Sequence, residues 1–413
     1  METIVIIGGG FAGLWAALGA ARQVDGNEAN IQITVISKDP YLNIRPRLYE
    51  KDPKTLRVQL SPTLDPVAVQ LVEGTVASVD AVKDTIEVMH AEGLKATMHY
   101  DRLILATGSE LKNLPITGLA EHGWNIDTYD AAIALDQHLG TIMQTPDAPG
   151  YNTFVIIGAG FTGIELVTEM RDRIEAHSNA ATAENSRIIL VERAAMVAPD
   201  LGSNPRPAVE AALRDANIEV RLGMSVDAVT SDTVTLNNGE KINTKTVITT
   251  AGLRATALDE TLPVERDEPG RIATDGNLRV KGISAVFAAG DVARAYADDE
   301  HLALMSCQHA MEMGKYAGYN AARDLLGLPL HPYQQPVYLT CLDLGRSGAL
   351  FTSGWDRQIQ KSGDDAKDLK RQINTQWIYP PTGTREQILA AAQIDVRSEE
   401  IQYTPKAVNE RNT

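Results

Sequence analysis

Cysteine is nearly absent from this chain of 413 residues: Cys307 and Cys341 are the two it has, and no C-x-x-C spacing joins them. That argues against a dithiol redox motif and against a zinc–thiolate site, so no metal is expected and a reduced-thiol, cytoplasmic setting is. Basic residues are the minority, 38 against 54 acidic, for a net charge of −16. Nucleic acid and broad attachment to anionic lipid both reward positive charge, so neither partner is expected. No apolar run approaches the roughly 18 residues that span a bilayer. We expect no transmembrane segment and at most peripheral membrane contact. The first strand pattern starts almost at the N-terminus, so no signal peptide is expected.

What is present starts at once. Ile4 to Ile7 is an apolar, β-branched run of the kind buried on both faces of a parallel sheet. Gly8, Gly10 and Gly13 then spell G-x-G-x-x-G, with Phe11 and Ala12 inside the turn, and an Ala-rich helical stretch follows. The first glycine permits a tight turn, the second lets backbone approach a pyrophosphate, and the third lets helix and strand pack closely. Strand before and helix after supply the context that makes the fingerprint specific. Ile31 to Ile36 reads as the next parallel strand. The acid that should end it and grip a ribose is replaced by Ser37, followed by Lys38. Tyr41 to Tyr49, with Arg45 and Pro46, has no helical period and reads as a surface loop or a cofactor-contacting turn. Val69 to Val88 alternates, Glu92-Gly93 suggests a hairpin, and Arg102 to Ala106 is a buried strand ending in Ala106-Thr107-Gly108.

At Phe154 the opening returns. Gly158, Gly160 and Gly163 repeat the fingerprint around Phe161 and Thr162, and Arg187 to Val191 repeats the second strand. Here Glu192 fills the acidic position, a carboxylate that favours NAD(H) by accepting from ribose hydroxyls and repelling a 2′-phosphate. Arg193 beside it softens that preference. Asn238-Gly239 marks a hairpin, and the stretch through Ala251 and Gly252 mirrors the one at Ala106. Glu165, where the first copy has Trp15, is either a charge near a helix N-terminus or a polar group facing a redox centre. Val286 to Asp291, through Gly290, reads as a strand, a turn and an aspartate that either caps a helix or contacts a cofactor hydroxyl.

These motifs together resemble the two-dinucleotide-domain flavoproteins of the pyridine nucleotide-disulfide oxidoreductase type, and within them the type II NADH:quinone oxidoreductases. The carrying segments are GGGFAG at 8–13, ATG at 106–108, GAGFTGIE at 158–165, TTAGLRA at 249–255, FAAGD at 287–291 and SCQHAMEMGKY at 306–316. The resemblance covers the chain to about residue 330. It implies FAD in the first unit and NADH in the second, with NADPH the second choice. It also implies Asp291 on the ribityl chain, Arg45-Pro46 beside the isoalloxazine, and Glu165 approaching from the nicotinamide side. The chain departs from the pattern at Ser37, at Cys307 and at Glu312, the last where a second glutamine is expected.

The expected fold is α/β: two Rossmann-like dinucleotide-binding domains and a small C-terminal α+β domain. The boundaries read as 1–115 with 253–330 for FAD, 116–252 for NAD(H), and 331–413 for the third. Its paired strands begin near Val337, Lys361 to Arg371 reads as a solvated helix face, and Thr384 to Ile394 carries a modest apolar face. The tail beyond it sets Val396 and Ile401 among Asp395, Glu399 and Glu400. A helix starting near Met305 brings Ser306, Cys307, Gln308 and His309 to the cofactor. Gln308 is expected to hydrogen-bond a flavin or acceptor carbonyl. His309 is either a proton donor to a quinone or a helix-surface histidine, and Cys307 is read as a small packing residue. The expected function is hydride transfer from NADH to flavin and onward to a small-molecule, quinone-type acceptor. The rivals are a soluble flavoprotein reductase of another small molecule or carrier protein, and a degenerate flavin-binding module. The sequence leaves room for a homodimer.

Overall fold

The computed structural model describes residues 1–90, 93–146, 148–256, 258 and 262–394. Glu92 of the expected hairpin and the tail residues Asp395, Val396, Glu399, Glu400 and Ile401 lie outside the described residues.

The β-branched runs form two parallel sheets of five strands, four of which follow the same order in both. In the first, Val286–Ala288, Arg102–Leu105, Glu2–Ile7, Ile31–Ser37 and Gln70–Glu73 lie side by side. In the second the order is Trp124–Asn125, Thr246–Thr249, Thr153–Ile157, Arg187–Glu192 and Glu219–Leu222. Ile4 and Ile6 pair with Ile33 and Val35, and Val155 and Ile157 with Ile189 and Val191. All are buried on both faces, and each buried aliphatic contributes about 2 kcal/mol. The outer strand of the first sheet comes from far downstream, whereas that of the second comes from just upstream.

Helix Phe11–Gly26 is clamped by helix Cys307–Leu325 through glycines. A Cβ on Gly318 would lie 1.9 Å from the Ala16 carbonyl oxygen, and one on Gly314 2.4 Å from that of Ala12. This backbone contact brings the start of the long helix alongside the first glycine loop.

Beyond Val337, strands Leu339–Asp343, Ala349–Ser353 and Gln358–Ser362 form an antiparallel sheet, backed by helix Gly363–Gln372. That helix corrects the solvated reading of Lys361 to Arg371, because Ala366, Leu369 and Lys370 are buried. Helix Arg385–Ala391 starts in a capping box of Thr384 and Gln387. Its Ile388 and Leu389 are buried, Arg22 donates to the Leu389 carbonyl at 3.0 Å, and Arg385 pairs with Asp25 at 2.8 Å. The apolar face after residue 384 is thus covered by the first unit. Among the described residues no helix is long and apolar enough to cross a membrane.

Candidate functional site

One cavity of about 2040 Å³ runs past both glycine loops to the C-terminal sheet. Each loop is shaped by what a side chain would strike. Gly8 has φ +113°, and a Cβ there would sit 2.3 Å from the Ala106 carbonyl oxygen; one on Gly13 would sit 1.8 Å from that of Gly8. Gly158 at φ +106° and Gly163, 1.9 Å from the Gly158 oxygen, repeat this. Gly10 and Gly160 face open space, and the helices they begin, Phe11–Gly26 and Phe161–His177, have no side-chain cap. Free N–H groups and a positive dipole end therefore meet room for a diphosphate at both places. The chain fits two dinucleotides.

Gly8, Gly10, Phe11, Ala12, Ser37, Lys38, Arg45, Pro46, Ala106, Thr107 and Gly108 line the first half of the cavity. Gly158, Gly160, Phe161, Thr162, Glu192, Arg193, Ala251 and Gly252 line the second. Gly13 and Gly163 stand behind the loops. Gly290 does too, at φ +74°, where a Cβ would lie 2.7 Å from that of Ala12. Glu192 accepts from the Ala159 N–H and the Ala194 N–H, each at 2.7 Å, so its carboxylate braces its own loop. Ser37 is buried against Gly9.

Arg45 ties the halves together. Its guanidinium donates to Ser109 Oγ at 2.9 Å and to Asp127, and lies 3.7 Å from Asp291. Asp291 also accepts from Ser109 Oγ at 2.6 Å, and burial raises its carboxyl above the ordinary value.

Glu165 lines the cavity and is buried. It accepts from Lys370 Nζ at 2.8 Å and from the Asp343 N–H at 3.0 Å. Burial pushes its carboxyl up to about 7 against the pull of the Lys370 ammonium. Lys370 also donates to the Cys341 carbonyl at 2.7 Å, and Asp343 accepts from Tyr49 Oη at 3.2 Å. Sequence reasoning missed Lys370 and Asp343. The signal available was a lysine on the Ala366–Leu369 face of a short helix.

Ser306 caps the helix that brings in Cys307 and Gln308, and all three line the cavity. Gln308 Oε1 accepts from the Leu339 N–H at 3.4 Å. Cys307 is a free thiol, pushed up to about 11 by burial, so it is not the reactive thiolate. His309 is corrected on both readings. It is fully buried rather than on the helix surface, and it is not among the residues lining the cavity. Its Nδ1 meets Ser306 Oγ at 2.9 Å, and desolvation lowers the imidazole to about 4, so at neutral pH it is the neutral imidazole and not the imidazolium.

Two glycine-loop units opening onto one cavity define a two-nucleotide flavin oxidoreductase. The chain belongs to the pyridine nucleotide-disulphide oxidoreductase family, whose description matches residues 2–314. It is an NAD(P)H-dependent flavin oxidoreductase with FAD and NADH as cofactors. It is 45% identical over 396 residues to an NADH dehydrogenase-like protein of Mycobacterium tuberculosis, covering 95% of this chain and 98% of that one. It is 29% identical to the demethylphylloquinone reductase of Synechocystis, covering 84% and 86%. Its fold matches the solved structure of NDH2 from Plasmodium falciparum in complex with NADH with a TM-score of 0.75, at 14% identity and 95% and 97% coverage.

Proposed function

We propose that this oxidoreductase passes two electrons from NADH to a quinone-type acceptor. The carrying observation is the cavity itself. Beyond the two nucleotide loops it continues between Leu339, Phe351, Ile373, Trp377 and Ile378, an apolar wall suited to a flat, poorly soluble ring. The name of the Synechocystis relative supports a quinone. Bound FAD supplies the redox chemistry, hydride in and electrons out. The first glycine loop and Asp291 would hold FAD, with Arg45-Pro46 and Gln308 beside it; the second loop and Glu192 would hold NADH. Glu165, with Lys370 behind it, is the proton-holding group at the wall, since its carboxyl titrates near neutrality. We retain the three-domain division, a cytoplasmic location and a homodimer as parts of this proposal.

A different small-molecule or carrier-protein acceptor is the second reading. It is favoured by Glu312, which pairs with Lys315 at 2.7 Å where a glutamine was expected, and by the covered apolar face of Arg385–Ala391. Mixing the protein with NADH without air, then adding acceptors one at a time, tests the choice. Bleaching followed by rapid recolouring with a short-chain quinone is expected. Recolouring by a carrier protein but by no quinone overturns it, and a protein that never bleaches has no reductase activity.

A further inference from the structure

A line of stacked rings leads away from the cavity. Tyr338 lines the cavity and is buried. Its ring stacks on Trp355 with centroids 4.7 Å apart and planes at 23°. Trp355 stacks on His301 at 4.4 Å and 4°, and His301 has 37% of its side chain exposed. At the inner end, Tyr338 precedes Leu339, whose N–H meets Gln308. The guanidinium of Arg357 lies 5.0 Å from the centre of the Tyr338 ring. At the outer end, the Trp355 indole N–H donates to Asp298 Oδ2 at 3.0 Å, and Asp298 Oδ1 accepts from the His301 N–H at 2.7 Å.

Packing alone accounts for burying an aromatic pair. It does not require an indole N–H to be held by a carboxylate at the solvent end of the stack. Tyrosine and tryptophan are the side chains that lose a single electron most readily, and rings in contact exchange one quickly. A carboxylate on the indole N–H gives the departing proton a place to go, which makes the oxidation easier. The need for such a route lies in the cavity, because a reduced flavin that meets dioxygen yields hydrogen peroxide, and a trace ferrous ion in solution gives peroxide one electron to leave hydroxide and a hydroxyl radical.

We propose that Tyr338 and Trp355 form an oxidation relay that carries one-electron oxidising equivalents from the flavin cavity to the surface at His301. The inference rests on flavin occupying this cavity and not on which acceptor it serves. A hydroxyl radical in the cavity takes an electron and a proton from the Tyr338 phenol and becomes water. The tyrosyl recovers an electron from Trp355 and a proton from cavity water, while the indole proton passes to Asp298. A thiol reductant in solution then gives a hydrogen atom to the tryptophan radical and is left as a thiyl radical that pairs off in solution, and the proton Asp298 releases neutralises the hydroxide left by the cavity water. The cavity is left unmodified.

The test uses the FAD-loaded protein turning over NADH in air with added peroxide, followed by peptide mass spectrometry. Trp355→Phe and Tyr338→Phe keep a ring in each place. Wild type is expected to accumulate oxidation at Trp355 and His301. In Tyr338→Phe, oxidation at Trp355 is expected to fall several-fold, because the link to the cavity is gone. In Trp355→Phe, oxidation is expected to rise several-fold at Met305, Met311 and Cys307, which line the cavity. Met196, 42% exposed and outside the cavity lining, reports exposure alone and should change in neither. Trp355 oxidation unchanged by Tyr338→Phe overturns the relay, as does a cavity pattern unchanged by Trp355→Phe. Bleaching of each variant by NADH without air is checked first, so loss of the flavin reading and loss of the relay are distinguishable. If one variant does not fold, the other decides.

Discussion

The two glycine-loop units share the order of four of their five strands and a turn geometry yet hold their loops by different means. In the second, Glu192 reaches back to the Ala159 and Ala194 N–H groups, and the loop carries an alanine in its middle. In the first, Ser37 stands at the same place and the loop has Gly9, where a Cβ would lie 2.5 Å from Ser37 Oγ and 2.9 Å from Leu60 Cδ1. One loop is braced by charge-assisted hydrogen bonds and the other by close packing. The acid at the strand end therefore has a structural task in addition to any contact with a ribose. The units differ again one turn into the helix, where Glu165 is matched by Trp15. Trp15 is an apolar filler beside the glycine contact of the long helix, whereas Glu165 is a buried acid facing Lys370.

The largest expected effect comes from that last difference. Glu165→Gln leaves the buried Lys370 ammonium with neutral acceptors alone, the amide oxygen and the Cys341 carbonyl, and should cost about 3 kcal/mol, read from the urea midpoint at pH 7. The pH dependence carries a sign. Because burial raises the Glu165 carboxyl to about 7, the folded protein holds a proton that the unfolded chain releases. Stability should fall as pH rises from the ordinary carboxyl range to about 7. The glutamine variant should lack that limb; an unchanged limb would assign it to another group. Trp15→Phe in the first unit should show no such pH effect.

Next is Glu192→Ser, which copies the first unit's residue into the second without its close packing. Two charge-assisted bonds to backbone are lost, about 2 kcal/mol after allowing for partial exposure. NADH KM should rise at least tenfold and the preference over NADPH should shrink, with Arg193 available to a 2′-phosphate. A KM unchanged for NADH would show that the loop holds without its brace.

Gly9→Ala, the reciprocal test, forces a methyl against Ser37 and Leu60 and should cost about 1–2 kcal/mol by overpacking. Adding Ser37→Gly should recover part of it, which a thermal melt of single and double variants would show. The smallest effect is expected from Ser37→Glu, which supplies the missing acid. FAD release, followed by fluorescence on dilution, should slow by a few-fold through a charge-assisted ribose contact. Faster release would mean that the packing against Gly9 outweighs the added carboxylate.

Both loops were legible in the chain because each is a local device: strand, turn and helix follow one another within about twenty residues, the first glycine takes a positive φ, and the third is required by a contact inside that span. Ser37 and Glu192 were legible for the same reason, but not the bracing role of Glu192, which depends on how the strand end sits under the loop. Lys370 read as solvated because its own helix is strongly charged; its burial is set by Glu165, which comes from the helix that opens the second glycine-loop unit. His309 failed in the opposite direction. The near-neutral pKa of an ordinary histidine made it a candidate proton donor to a quinone, yet the rings of Tyr338 and Trp355 enclose it.

The sequence by itself determined the two parallel sheets, the two nucleotide loops and the chemical class of what they bind, because period, glycine spacing and the strand-end residue act over short stretches. Tertiary structure alone decided that both loops open on one cavity and that a C-terminal lysine meets Glu165. It also decided that the Tyr338–Trp355 stack begins at the cavity wall, and that Ile388 and Leu389 are covered by the first unit. These are meetings of side chains far apart in the chain, and no local pattern records them, since the burial of each is set by its partner.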